Sequence, residues 1–293
     1  MEIARPTREE LLHRLYEAAE LEHNLMCTYL YAAFSLKDAD DGLSAEQAAA
    51  TARWRRTIID VAIEEMGHLV AVWNITSALG GTPRFGRGNF PLDPGYLPAG
   101  VVVKLAPFNE AVLQHFIYLE RPKDSTEPDG AGFEPPVHYR RGGQPPRLTP
   151  MGIDYETVGD FYVSLGESVT RFVERVGEKA AFCGDPALQL SAAEIDLGGA
   201  KPVICAKTVL HAFDAIVRQG EGAQADSEGS HYQKFSAIRR ELQALRKPSG
   251  AFSQPSPRRS IPCCDARPAP RGACGSRTRM RPSASTSPTR PTD

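Results

Sequence analysis

The sequence contains no apolar run of 18 residues, the length that a membrane-spanning helix needs. Its first residues lack the apolar core of a secretion signal. The six cysteines are scattered or lie after residue 248, and none has metal-ligand spacing. These absences predict a protein of the reducing cytoplasm that has no membrane partner.

Acidic residues outnumber basic ones before residue 248. Residues 1–247 hold 26 Lys and Arg against 34 Asp and Glu, a balance of −8, which argues against nucleic acid as a partner. Two common catalytic patterns are also missing. No glycine-rich phosphate loop follows a strand, and no Ser or Cys occupies a nucleophile elbow.

Residues 248–293 differ from the rest of the chain. They are rich in Pro, Arg and Ser and contain no Leu, Val, Tyr or Trp. Such a segment buries too little apolar surface to offset the entropy of ordering, so we predict a disordered tail after one domain at 1–247. Two origins of the tail stay open: an ordinary basic linker, and translation of GC-rich DNA in a wrong frame.

Apolar residues recur at helical spacing in the domain at 1–247. Thr7 with Glu10, and Ser44 with Gln47, have the spacing of capping boxes at the starts of the first two helices. The predicted helices cover about 8–36, 44–79, 155–178 and 203–220, and a continuation of the fourth follows an acidic, Gly-rich break at 231–245.

A long connection at 82–150 separates the second helix from the third. It is rich in Pro and Gly, and it contains a strand-like run at 101–105 and a predicted helix at 109–119. Long crossovers of this kind occur in ferritin-like bundles, whereas short links make simple up-and-down bundles. We therefore predict an all-α, ferritin-like four-helix bundle with a crossover insertion.

Polar residues interrupt the apolar rows of the first two helices. Glu65 and His68 are three residues apart and share a helix face whose other members are apolar, and Glu22 interrupts the first helix in the same way. Buried carboxylate and imidazole groups are costly unless something satisfies them. A metal ion inside the bundle would do so. Gly67, which weakens the helix by about 1 kcal/mol, predicts the close approach of another helix or a bound group.

The later helices offer weaker candidates for metal ligands. Asp160 is the acid of the third helix nearest the expected level, although periodicity places it on the polar side. Around the acidic break we rank His231 first, then Glu221, then Glu228. A Glu and Glu-x-x-His set of this kind is typical of di-metal carboxylate bundles, and it suits Fe, in a di-iron site, or Mn.

Purely structural roles remain open for these polar residues. Glu22 would then be a partly buried carboxylate paired with an arginine. Glu65 and His68 would be a satisfied pair in the core, and Asp160 a solvated acid.

Three segments resemble the ferritin-like domain of the iminophenyl-pyruvate dimer synthase family, which includes parts of bacterial enzymes of violacein and indolocarbazole biosynthesis. The segments are 20–36, Glu64–Leu69, and 219–222 with 230–232. The resemblance covers about residues 8–246 and implies a ferritin-like bundle with a metal site. The ligands that it implies are Glu22, Glu65, His68, Glu221 and His231.

Residues and resemblance together favour oxidative or dimerising chemistry on an amino-acid-derived imine in secondary metabolism, with a small molecule as substrate. Two alternatives stay open: a peroxide- or oxygen-consuming di-metal oxidoreductase with another substrate, and a non-enzymatic helical binding protein. A second copy of the chain or a biosynthetic partner enzyme is the expected protein partner.

Overall fold

The structure is a computed structural model that describes residues 5–84, 90, 92, 96–134, 152–220 and 229–245. All of these residues belong to one compact unit, Met1–Ser260. The predicted tail, Glu221 and Glu228 lie outside the described residues, so the predictions about them stay predictions. Among the helices that are described, none has the length and apolar character to cross a membrane.

Every regular element in the described ranges is a helix, which confirms the all-α prediction. The run at 101–105 forms no strand there, although the Leu92 N–H donates to the Val103 carbonyl at 3.2 Å. The α-helices are α1 (Arg8–Ser35), α2 (Ala45–Ala78), α3 (Glu110–Leu119), α4 (Val158–Val176), α5 (Glu178–Ala181), α6 (Ala206–Gln219) and α7 (His231–Leu245).

The two long helices begin where their capping boxes predict. Thr7 Oγ1 accepts a hydrogen bond from the Glu10 N–H at 3.2 Å, and the Glu10 carboxylate accepts one from the Thr7 N–H at 2.8 Å. Ser44 and Gln47 make the same reciprocal pair before α2. Each pair satisfies backbone donors that the first turn leaves free. The short link at 36–44 then folds α2 back onto α1, its most extensive partner.

The remaining helices pack around this pair in two groups. On one side α4 contacts α1 and α6, and α6 contacts α2. On the other side α7 contacts α2 and α3. The predicted fourth helix is therefore two separate helices, α6 and α7. Both contact α2, but α6 also contacts α4, whereas α7 also contacts α3. The helix inside the crossover, α3, packs into the bundle.

Aromatic side chains join the helices within both groups, and on one side they also join them to α1. Tyr29 of α1, Phe116 of α3 and Phe235 of α7 meet with ring centroids 4.6–5.2 Å apart. On the other side Tyr162 of α4 lies 5.6 Å from Phe213 of α6. Such pairs contribute about 0.5–1.5 kcal/mol each beyond the burial of their area. Both tyrosines also reach the polar cluster at the centre of the bundle.

Candidate metal centre

Three carboxylates and two imidazoles meet inside the bundle. Glu22 comes from α1, Glu65 and His68 from α2, Glu120 from the residue after α3, and His231 from the first residue of α7. All five residues are buried, with at most 3% of the surface of any of them exposed. Ionisable groups are rarely buried to this extent unless they are paired or bind a metal.

The five residues form two overlapping groups of possible metal ligands. Glu22, Glu65 and His68 make one group, and Glu65, Glu120 and His231 make the other; ligand atoms within each group lie within 4.8 Å of one another. Glu65 belongs to both. Its Oε2 lies 2.9 Å from His68 Nδ1, and its Oε1 lies 3.1 Å from His231 Nδ1. One carboxylate thus offers one oxygen to each group.

Four buried atoms of the cluster make no well-formed hydrogen bond to any described residue and lie only 3.1–3.5 Å from one another or from His68 Nδ1: Glu22 Oε2, Glu65 Oε1, Glu120 Oε2 and His231 Nδ1. Leaving a buried polar atom unsatisfied costs about 1–3 kcal/mol, and more when the group is charged. All four are oxygen or nitrogen atoms of the kind that bind Fe or Mn. The residues therefore fit a di-metal carboxylate centre.

The outer oxygens of two carboxylates are held by phenols. The Tyr29 hydroxyl donates to Glu120 Oε1 at 2.5 Å, and the Tyr162 hydroxyl donates to Glu22 Oε1. In both carboxylates the phenol binds Oε1, and the other oxygen, Oε2, has no hydrogen bond within the described part of the chain. The phenols fix the carboxylate orientation, as outer partners of metal ligands commonly do.

The histidines are held in the same way through their outer nitrogens. His68 Nε2 lies 3.2 Å from Gln219 Oε1, and His231 Nε2 lies 2.7 Å from Glu64 Oε2. An acceptor at Nε2 favours the tautomer that carries its proton there, which leaves the Nδ1 lone pair for a metal. Both Nδ1 atoms face the shared carboxylate of Glu65.

Burial and mutual charge shift the pKa values in the cluster in opposite directions. Burial raises the pKa of Glu22 to about 8, although the nearby imidazole of His68, whose Nδ1 lies 3.4 Å from Glu22 Oε2, acts against it. Burial also disfavours the charge of Glu65, but His231 and His68 outweigh it and hold the pKa of Glu65 well below its usual range. Burial opposes the charged form of His68, yet Glu65 and Glu22 raise its pKa to about 10. Protons and a metal ion therefore compete for the same atoms.

Glycines leave room around the cluster at two points. A Cβ atom at Gly220 would lie 2.7 Å from His231 Nδ1 and 3.0 Å from Glu120 Oε2, so this glycine keeps open the space that those two atoms face. A Cβ atom at Gly199 would lie 1.6 Å from the Gly67 carbonyl oxygen. The close approach that was predicted at Gly67 is thus made by the backbone of a loop rather than by a helix.

A cavity of about 440 Å³ opens beside His68, between α2, α6 and the loop at 196–203. This volume is within the range of small-molecule sites. Its lining is mixed: apolar Ile63, Ala71, Ala212 and Ile216, polar His68, His211 and Gln219, basic Lys201 and Arg218, and acidic Glu64 and Asp196.

The structure brings together four of the six predicted ligands, namely Glu22, Glu65, His68 and His231. It does not bring Asp160 to the cluster. The Asp160 carboxylate accepts hydrogen bonds from Lys123 and Thr157, both at 3.0 Å, in the first turn of α4, where a negative charge suits the helix dipole. The side chain that α4 contributes to the centre is the phenol of Tyr162.

Glu120 was missed, because the predicted helix ended one residue before it. Leu113, Phe116 and Ile117 are fully buried, and Glu120 continues their row by three and four residues. This is the same polar interruption of an apolar row that identifies Glu65. The signal was present, but the row is short and lies in a segment rich in Pro and Gly.

Comparison with solved structures finds a ferritin-like protein from Caulobacter vibrioides. The TM-score is 0.54 at 20% sequence identity, over 80% of this chain and 73% of that one. At this identity the likeness concerns the fold.

A curated relative is 2-imino-3-(indol-3-yl)propanoate dimerase from Chromobacterium violaceum. It is 32% identical over 141 residues, which are 40% of this chain and 13% of that protein. This chain thus matches only a small part of the length of that relative. A family model described as ferritin-like matches residues 15–240, most of the chain, and the chain belongs to that ferritin-like family.

Proposed function

We propose that the cluster holds a di-metal centre of iron or manganese. Glu22, Glu65, His68, Glu120 and His231 would be the ligands, and Glu221, the residue after Gly220, stays a further candidate. The observation that carries this proposal is the set of four buried ligand atoms that lie 3.1–3.5 Å from one another or from His68 Nδ1 and make no well-formed hydrogen bond to a described residue. Bound there, the ions would supply a redox-active or Lewis-acidic centre.

The residues around the centre have roles of their own. Tyr29 and Tyr162 hold the carboxylates of Glu120 and Glu22, respectively, by donating a hydrogen bond to Oε1 of each. The apolar packing of Tyr29, Phe116 and Phe235 excludes water from one side of the cluster. The other side meets the cavity at His68, so a substrate would approach from there.

For the reaction, we propose oxidative or dimerising chemistry on an amino-acid-derived imine. Two observations support this choice. The matched relative is named as a dimerase of such an imine, although the match spans 13% of its length. The cavity combines an apolar wall with charged groups of both signs, Lys201 and Arg218 with Glu64 and Asp196, which suits a substrate that carries an apolar side chain together with charged groups.

Metal analysis of the purified protein after reconstitution with Fe(II) or Mn(II) tests the proposal. We expect two ions per chain, one for each ligand group. The control is Glu167→Gln, which removes an exposed carboxylate of α4 that pairs with Arg171. A metal content at the background level would refute the centre and favour a non-enzymatic helical protein. Consumption of peroxide or oxygen by the loaded protein without any imine would favour a different substrate.

A further inference from the structure

The two ligand groups are built alike at their inner surfaces. We call Glu22, Glu65 and His68 the His68 position, and Glu65, Glu120 and His231 the His231 position. Each has one oxygen of Glu65, one further carboxylate held by a tyrosine, and one histidine whose Nδ1 faces inward. They differ in what the outer nitrogen of each histidine contacts.

The outer partner of His231 is an anion. Glu64 Oε2 lies 2.7 Å from His231 Nε2, and Lys234 Nζ donates to both Glu64 oxygens at 2.6 and 2.8 Å. The outer partner of His68 is the neutral amide of Gln219, at 3.2 Å. Because charge-assisted hydrogen bonds are shorter and stronger, Glu64 makes the imidazole of His231 the more basic ligand.

The two positions also differ in their access to solvent. His231 is fully buried, and its ring lies between Glu65 of α2 and Glu120, the residue after α3. Both outer partners, Gln219 and Glu64, line the cavity, but of the two histidines only His68 does so; Gln219 is an exposed residue at the last position of α6. A change in the Gln219 side chain alone would therefore open the edge of the His68 ring to the cavity.

We infer that the two positions are not equivalent: the His231 position retains its ion more tightly, and the His68 position is the exchangeable one that adjoins the cavity. This inference rests on the proposed metal centre. Glu64 and Gln219 act as positioning residues, because neither is a ligand and each acts through the histidine that it contacts.

The test is an anaerobic titration with Co(II), followed by visible absorption and by calorimetry. The unmodified protein should bind two ions in separate steps whose dissociation constants differ by about tenfold or more. Glu64→Gln should weaken the tighter step by about 10- to 100-fold and leave the other unchanged. Gln219→Glu should strengthen the weaker step and bring the two steps closer together.

A matched control is Glu241→Gln. This change removes another carboxylate at the contact between α2 and α7, where Glu241 pairs with Arg53 and accepts a hydrogen bond from Trp54, and neither step should change. Two equal steps in the unmodified protein, or an equal loss of both steps in Glu64→Gln, would overturn the inference and leave the metal centre standing. Failure to bind Co(II) at all would instead refute the centre. Gln219 is exposed, so its variant tests the inference even if Glu64→Gln does not fold.

Discussion

The two halves of the cluster come from very different parts of the chain. Glu22, Glu65 and His68 lie in the middle of two long, continuous helices. Glu120 follows a ten-residue helix inside the crossover, and His231 opens α7. The first half is built on a helical hairpin whose periodicity is visible in the sequence. The second half exists only because α3 and α7 pack against each other and against the hairpin.

The largest expected effect is that of Glu65→Gln, since both halves share this residue. The change removes a charge that faces both Nδ1 atoms, so both ions should be lost, with dissociation constants raised more than about 100-fold. Glu22→Gln and Glu120→Gln should each remove one ion. The measurement for all three variants is the metal content per folded chain. Equal losses in all three would contradict the division into two halves.

Gly220→Ala should act on the second half alone. The new methyl group would stand 2.7 Å from His231 Nδ1, within the space proposed for an ion, so the His231 position should lose its metal. Gly198→Ala is the matched control, because a Cβ atom there meets nothing within 4 Å. Co(II) titration of both variants is the measurement. Full occupancy in Gly220→Ala would show that the ion does not occupy that space.

Tyr162→Phe and Tyr29→Phe should have smaller effects, one on each half. Each change leaves the outer oxygen of a buried carboxylate without its phenol donor, for Glu22 and Glu120 respectively. We expect each variant to lower the free energy of unfolding by about 1–3 kcal/mol and to weaken the ion on its own side. Denaturant unfolding together with metal titration would separate the two effects. If either variant weakened only the ion of the other half, the pairing of Tyr162 with Glu22 and of Tyr29 with Glu120 would be contradicted.

The expected effect that separates the two halves least is a pH dependence. Because the pKa of His68 is raised to about 10, its protonated form stabilises the chelator-treated protein fully below about pH 6.5, and this stability is lost as the pH rises through about 10. The raised pKa of Glu22, about 8, acts in the same direction. Metal ions need the deprotonated ligands, so the stabilisation that they give should grow as the pH rises. Thermal unfolding with and without Mn(II) across this range is the measurement. The difference in Tm between the two samples should grow as the pH rises, and a constant difference would contradict the prediction.

The sequence points to all three residues of the first half of the site but only to His231 of the second, for a physical reason. A buried carboxylate in a long amphipathic helix interrupts many apolar neighbours, and this makes Glu22 and Glu65 visible. Glu120 interrupts a row of only a few residues, and the tyrosine that holds its carboxylate, Tyr29, lies 91 residues away in the chain. Asp160 is the prediction for the third helix because a four-helix metal site is expected to take an acid from it. Helix α4 instead supplies a hydrogen-bond donor to an acid of α1.

The outer partners could not be predicted from spacing at all. Gln219 and Glu64 meet His68 and His231 through tertiary contacts between α6, α2 and α7. Gly67 was recognised as unusual, yet the loop that approaches it was not, because residues 196–203 have no periodic pattern. Local patterns therefore identify which helix faces are polar, and packing decides which of those faces meet.

Anomalous scattering from crystals of the Mn(II)-loaded protein tests the central claim most directly. The di-metal centre predicts two peaks inside the bundle, one among Glu22, Glu65 and His68 and the other among Glu65, Glu120 and His231. Glu65 should contact both. The absence of any peak within this cluster, or a metal that binds without Glu65, would contradict the claim.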